Sequence, residues 1–274
     1  LPWIVIVKRS AAAIAGPGLD RTEPRQSRIN LSAAIKGLLR VDAEAVISLN
    51  LVPDVAVFTL YDRLAVVPGQ VVAGAKITPI AIDRAALERA EGIAALTTVV
   101  QVKPFLPLKV GVVTTEGMAP RVKERFRANL TNKIGWYGGS VLGFVEVEPD
   151  SAQVAQAIAR FKSAGADLIL TGGGTTVDPL DPAIQALPKV GAELVKFGAP
   201  SHPGSMFWIA YQHETPIFNL ASCSMYSGST SADLILPSVM AGERVTERDM
   251  AALGYGGLLE GGEMSFRFPP YNEG

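Results

Sequence analysis

The stretch of this chain best suited to chemistry is Thr171-Gly172-Gly173-Gly174-Thr175-Thr176-Val177-Asp178-Pro179-Leu180-Asp181. Glycines at the carboxyl end of a predicted buried strand, Asp167 to Thr171, let backbone amides converge on an anion, because no Cβ blocks the approach and positive φ is accessible. Thr175 and Thr176 add hydroxyl donors. The same turn would also serve as a tight strand-to-helix connection. Asp178 and Asp181 precede a predicted short helix, Pro182 to Leu187. One can cap that helix while the other, facing amide donors, holds Mg²⁺ against a bound phosphate; double capping is the plainer alternative. The loop has neither the Gly-Lys-Ser/Thr of a P-loop nor the G-x-G-x-x-G spacing of a dinucleotide site.

The elements that must position this loop begin at Leu108, where the order becomes strand, loop, helix, strand and predicts a sheet covered by helices on both faces. Lys109 to Thr115 is nearly continuously apolar, as a strand buried on both faces should be. A helix from Pro120 to Ile134 and a strand from Val141 to Val147 follow. Asp150 or Ser151 caps a helix with Val154, Ala155, Ile158 and Phe161 on one face, ending at Gly165. Glu193–Phe197, Met206–Tyr211 and Pro216–Leu220 read as strands, the last two joined as a hairpin through Gln212 to Thr215. A Ser-rich loop, Ser222 to Ser231, precedes a helix ending near Gly242. In open sheets of this kind, ligands bind in the crevice outside the carboxyl ends of the strands.

Upstream, Ala45–Leu49, Val55–Tyr61 and Gln70–Ala73 read as β-type runs. A helix capped by Asp83 carries Ile82, Ala86, Leu87 and Ala90 at helical spacing and should stop near Gly92. Pro104 and Pro107 mark a boundary. The expected fold is α/β: a three-layer α/β/α domain with a mostly parallel sheet over 108–245, preceded by a smaller β-rich segment, 1–105, and followed by a tail, 246–274. Leu1 is not an initiator methionine, so residues are expected upstream. The 274 residues include 25 basic and 26 acidic side chains, a net charge of −1, which argues against a polybasic nucleic-acid or membrane surface. Hydrophobic residues at 48% and charged ones at 19% are the composition of a folded protein. No apolar run approaches the roughly 20 residues of a membrane span, and Cys223, the single cysteine, has no intrachain partner. The expected setting is cytoplasmic, with neither nucleic acid nor membrane as partner.

Asp167 to Asp181 looks like the signature loop of the molybdopterin-binding family, which includes the molybdopterin adenylyltransferases, the molybdenumtransferases and gephyrin. The family pattern is approximately strand, Thr-x-Gly-Gly-x-Ser/Thr, then an Asp; Asp181 matches that Asp, and Asp178 stands where many members have Gly. Val112-Val113-Thr114-Thr115-Glu116-Gly117 is similar to the family's first ligand loop, commonly Ser/Thr-Gly-Asp/Asn-Glu, with the order altered. His202-Pro203-Gly204-Ser205-Met206-Phe207 resembles its Lys/Arg-Pro-Gly-Lys-Pro segment with both basic residues replaced. Pro216 to Ser224 resembles a strand ending in Gly-Leu-Pro-Gly-Asn/Cys, the Pro-Gly having become Ala221-Ser222, with Cys223 and Ser224 following. The resemblance covers roughly Leu108 to Gly257, and the region before Pro104 looks like the linker found upstream in stand-alone molybdopterin-binding proteins.

The resemblance implies a molybdopterin ligand, free or adenylylated, held by Thr114, Thr115, Glu116, Gly172, Gly173, Gly174, Thr175, Thr176, Pro203, Gly204, Ser205, Ser222 and Ser224. Asp181 and Asp178 are its implied catalytic residues and Asp181 its implied Mg²⁺ ligand. The implied activity is that of a transferase in molybdenum cofactor biosynthesis, with ATP or molybdate as co-substrate. A homo-oligomer, dimer or trimer, is expected, with molybdoenzymes or other cofactor-pathway proteins as partners. The lost Lys/Arg residues predict weakened anion binding and keep a second reading open, a non-catalytic carrier or sensor of molybdopterin. A third, weaker reading is a nicotinamide nucleotide-processing enzyme of related fold. His202 and Arg121 are minor ligand candidates, while His213 reads as solvated. No Gly-x-Ser-x-Gly follows a strand, so an acyl hydrolase is not expected.

Overall fold

The computed structural model describes residues 3–25, 27–79, 81–115, 117–173, 180–220, 230–260 and 264–271. The chain divides into two compact units, Leu1–Phe105 and Leu106–Gly274. The first contains α1 (Trp3–Ile14), β1 (Leu19–Arg21), β2 (Arg28–Ala33), β3 (Gly37–Val41), α2 (Ala43–Asn50), β4 (Val55–Thr59), β5 (Ala65–Val66), β6 (Val71–Ile77), α3 (Arg84–Ala94) and β7 (Val100–Pro104). Its strands form a four-stranded sheet, β1-β2-β6-β4, and a three-stranded one, β5-β3-β7, around a core that includes Leu31, Ile77, Leu87 and Val100.

Two expectations in this unit are corrected. Ala45–Leu49 is helical, because the Asp42 carboxylate accepts the amide of Ala45 and starts α2. Ala45 and Leu49, four residues apart, are then its buried pair; so short an apolar run fits either period. α3 begins at the Asp83 cap as predicted but runs through Gly92 to Ala94. Burial of Ala90 and Ala94 offsets the roughly 1 kcal/mol that a glycine costs inside a helix. α1 has no counterpart among the predicted elements.

The second unit contains β8 (Lys109–Thr114), α4 (Pro120–Trp136), β9 (Ser140–Glu146), α5 (Ser151–Ser163), β10 (Leu168–Gly172), α6 (Pro182–Ala186), β11 (Glu193–Phe197), β12 (Trp208–Gln212), β13 (Thr215–Leu220), α7 (Ser231–Met240) and α8 (Glu247–Ala252). The strand order is β11-β12-β13-β10-β8-β9. β9, β8, β10 and β13 are mutually parallel, and β12 is antiparallel to both its neighbours, β13 and β11.

Strand alternation assigns the two helical layers. Val113, Ile169, Ile217 and Ala210 point to one face and share a core with Val154, Ile158 and Phe161 of α5 and Ala183 and Ala186 of α6. A Cβ on Gly111 would lie 2.4 Å from the Phe161 ring, so glycine at that strand position is what lets α5 lie flat on the sheet. Phe144, in register with Val112, faces the other way and meets Phe126 of α4 edge-on, with centroids 6.1 Å apart. α7 joins α4 on that face through the Lys133–Asp233 ion pair. This is the three-layer α/β/α arrangement with a mostly parallel sheet. Residues 246–260 fold back onto the unit: Thr246 and Asp249 form a capping box for α8, and Leu259 donates its amide to the His202 carbonyl. Among the described residues no helix is long and apolar enough to cross a membrane.

Candidate functional site

The parallel strands end level with one another. Thr114 of β8 stands opposite Gly172 of β10, and Gly172 opposite Leu220 of β13. β8 continues through α4 to its neighbour on one side, β9, and the chain then crosses back through α5 to its neighbour on the other, β10. α4, which follows β8, and α6, which follows β10, lie on opposite faces of the sheet, the switch-point arrangement at whose carboxyl edge sheets of this kind bind ligands. The amide of Thr115 donates to the carbonyl of Gly172 at 3.0 Å at that edge.

Two sequence-predicted stretches thus meet there. Thr114 is buried and Thr115 half-buried. Gly172 ends β10, and Gly173 has φ +94°, a conformation that favours glycine. Near the end of β10, the Thr171 hydroxyl is buried and has no hydrogen-bond partner among the described residues. A buried hydroxyl without a partner is costly, and here it lies at the root of the loop predicted to receive an anion.

Asp181 is buried at 5% exposure. It is the cap of α6, its Oδ1 accepting the amide of Ala183 at 2.8 Å. Capping therefore falls to Asp181. A carboxylate keeps further lone pairs beyond the one used for a cap, so the same residue can also face a cation.

The Pro203–Ser205 turn lies at the same edge, immediately before β12. Ser231, the first residue of α7, donates its amide to the Pro203 carbonyl at 3.1 Å, and its hydroxyl is 2.7 Å from that of Ser201. Gly204 has φ +107°, and a Cβ there would come within 2.7 Å of the Ser231 hydroxyl. Asn219 holds the other end of this segment: its Oδ1 accepts the amide of Trp208 at 2.6 Å, and its Nδ2 donates to the Met206 carbonyl at 3.1 Å. Ser205 itself is exposed.

Glu116, Gly174, Thr175, Thr176, Asp178, Ser222, Cys223 and Ser224 lie outside the described residues. His202 is exposed, with Nε2 3.0 Å from Glu260 and its amide donating to Gly257. His213 occupies the β12–β13 turn at φ +53° and accepts from Arg244 through its carbonyl. Arg121 is an exposed residue of the first turn of α4. Among the described residues no group of three His, Cys, Asp or Glu side chains is arranged to hold a metal.

Residues that sequence reasoning did not single out also shape this edge. Asn219 was signalled by its own chemistry, an amide inside the apolar run Ile217-Phe218-Asn219-Leu220. Thr230 and Asp233 form a capping box at α7, a Thr-x-x-Asp pattern readable in the sequence. The pairing of Asp233 with Lys133 has no local signal.

No family model matches the chain, and no curated protein does. Many of the solved structures similar to it are molybdopterin biosynthesis proteins. The molybdopterin biosynthesis enzyme MoaB from Thermus thermophilus is 18% identical, covering 50% of this chain and 98% of that one, at a TM-score of 0.36. The molybdopterin biosynthesis Mog protein from Mycobacterium ulcerans is 19% identical over 49% of this chain and 95% of that one, at a TM-score of 0.36. The molybdopterin biosynthesis moea protein from Pyrococcus horikosii is 14% identical over 91% of this chain and 80% of that one, at a TM-score of 0.37.

Proposed function

We propose that the second unit binds molybdopterin, free or adenylylated, at the carboxyl edge of its sheet, and that the chain serves molybdenum cofactor biosynthesis as an adenylyl- or molybdenumtransferase. The observation that carries this reading is the junction of Thr115 with Gly172, which sets two of the stretches bearing the family resemblance side by side at the switch point. In the proposed complex the amide of Gly173, at the exit of β10, faces the terminal phosphate, the Gly172 amide being held in the ladder with β8. Thr175 and Thr176 add donors, and Pro203–Ser205 borders the pterin. Mg²⁺, supplied with ATP or molybdate, would neutralise charge beside Asp181. The work of such a site is positioning and electrostatic stabilisation, and it needs no covalent nucleophile. Adenylyl-transfer and molybdate-insertion assays on the purified chain test it; molybdopterin bound without turnover in either assay would reject the transferase reading.

One observation favours the carrier as a second reading. Both basic positions of the third stretch are replaced, by His202 and Ser205, and the His202 ring is engaged by Glu260 at 3.0 Å. We also infer a homo-oligomer, since β9 and β11 are the outermost strands of the sheet among the described residues and edge strands can pair with a second copy. Light scattering that returns the 28.9 kDa monomer mass would count against it.

A further inference from the structure

Asp233, the third residue of α7, is 3% exposed. A carboxylate so buried must be paired and hydrogen-bonded to persist as an anion. Its Oδ2 accepts the amide of Thr230 at 2.9 Å and the Thr230 hydroxyl at 3.1 Å, closing the cap of α7. Its Oδ1 accepts from Lys133 Nζ, in the last turn of α4, at 2.7 Å. The Lys133 ammonium in turn lies 5.1 Å from the centroid of the Tyr271 ring, a cation–π distance. Tyr271 is itself fixed: its hydroxyl is 2.9 Å from that of Tyr137, and its ring packs edge-on to Trp136 and Tyr137. The first turn of α7, at the other end of this chain of contacts, supports the Pro203–Gly204 turn through Ser231.

We propose that Tyr271 is a positioning residue of the candidate site. Near the carboxyl terminus it acts as a strap whose ring closes over Lys133, holds the Lys133–Asp233 pair, and so fixes the first turn of α7 on which Pro203–Gly204 rests. The ring excludes water from an ion pair that would otherwise be screened and mobile. Without it the ammonium loses its apolar cover, Asp233 loses a fixed partner, and the cap loosens. The effect on ligand affinity rests on the function proposed above; the effect on α7 does not.

Amide hydrogen exchange on the full chain tests the strap, comparing wild type with Tyr271→Leu, Tyr271→Phe and Lys133→Arg. Tyr271→Leu should speed exchange at Ser231 and Asp233 by about tenfold, while amides of α5 and β8 keep wild-type rates. Tyr271→Phe keeps the ring over the ammonium but loses the hydroxyl that meets Tyr137 and Asp233, so it should loosen the same amides less than Tyr271→Leu does. Lys133→Arg keeps the charge but changes its geometry and should loosen the same α7 amides to a lesser degree, which supplies a perturbation should Tyr271→Leu fail to fold. Acceleration spread evenly over the unit, or confined to residues 134–139, overturns the proposal. Titration with molybdopterin supplies the functional arm, where Tyr271→Leu should raise Kd by about fivefold. A loosened α7 with unchanged Kd overturns the positioning role. A wild-type chain that takes up no molybdopterin overturns the ligand reading instead, and exchange alone then decides the strap.

Discussion

The amide of Thr115 donates to the carbonyl of Gly172 at 3.0 Å, so the chain leaves β8 and β10 from a shared anchor one residue beyond the point where Thr114 and Gly172 are in register. The ends of the two strands cannot separate without losing that bond. Gly173, the next residue of β10's exit, has φ +94°, which admits a glycine and strains any other side chain. Gly173→Ala should cost about 1–3 kcal/mol, measured by urea denaturation, and should weaken ligand binding by more than the stability loss alone explains.

Asp181 separates the transferase from a plain cap. Asp181→Asn keeps an acceptor for the Ala183 amide but removes the charge, so melting should change little while Mg²⁺-dependent turnover disappears. Asp181→Ala should lower stability by about 1 kcal/mol. Turnover unchanged in Asp181→Asn would reduce the residue to its capping role.

Asn219 bonds two backbone groups of the segment leading into β12, the Trp208 amide and the Met206 carbonyl. Asn219→Ala would leave both without this buried partner, at about 2–4 kcal/mol. Chemical denaturation should show that loss, and proteolysis should show cleavage near residues 203–206 before the rest of the chain.

Much of this arrangement was legible in the sequence. β8 and β10 were visible as continuous apolar runs and α5 as a stripe behind the Asp150 cap, because their cores and caps are local in sequence. Ala45–Leu49 deceived because an apolar run of that length satisfies both helical and strand periods until the Asp42 cap decides. Lys133 and Asp233 lie a hundred residues apart along the chain, and Tyr271 further still. A buried pair formed across two helices leaves no spacing to read, so the apolar tail residue gave no sign of what it covers.

Burial holds the Tyr137 phenol far above its ordinary pKa, and burial with the neighbouring Tyr137 and Asp233 raises that of Tyr271 as well. A phenol with a raised folded-state pKa keeps its proton after the unfolded chain has lost it at about pH 10. Their contribution to stability is therefore full below about pH 10 and is lost progressively as pH rises above it. Urea midpoints between about pH 8 and 11.5 should fall only in the alkaline half of that range. Tyr137→Phe should flatten the fall; an identical slope in the variant would assign it to other groups.

The most direct measurement for the central claim is calorimetric titration of the purified chain with molybdopterin, adenylylated molybdopterin and a nicotinamide nucleotide, with mass spectrometry of whatever small molecule co-purifies. Saturable binding of one or both pterins, lost or weakened in Gly173→Ala and absent for the nicotinamide nucleotide, is the result this account predicts. No heat with either pterin and tight binding of the nicotinamide nucleotide would contradict it.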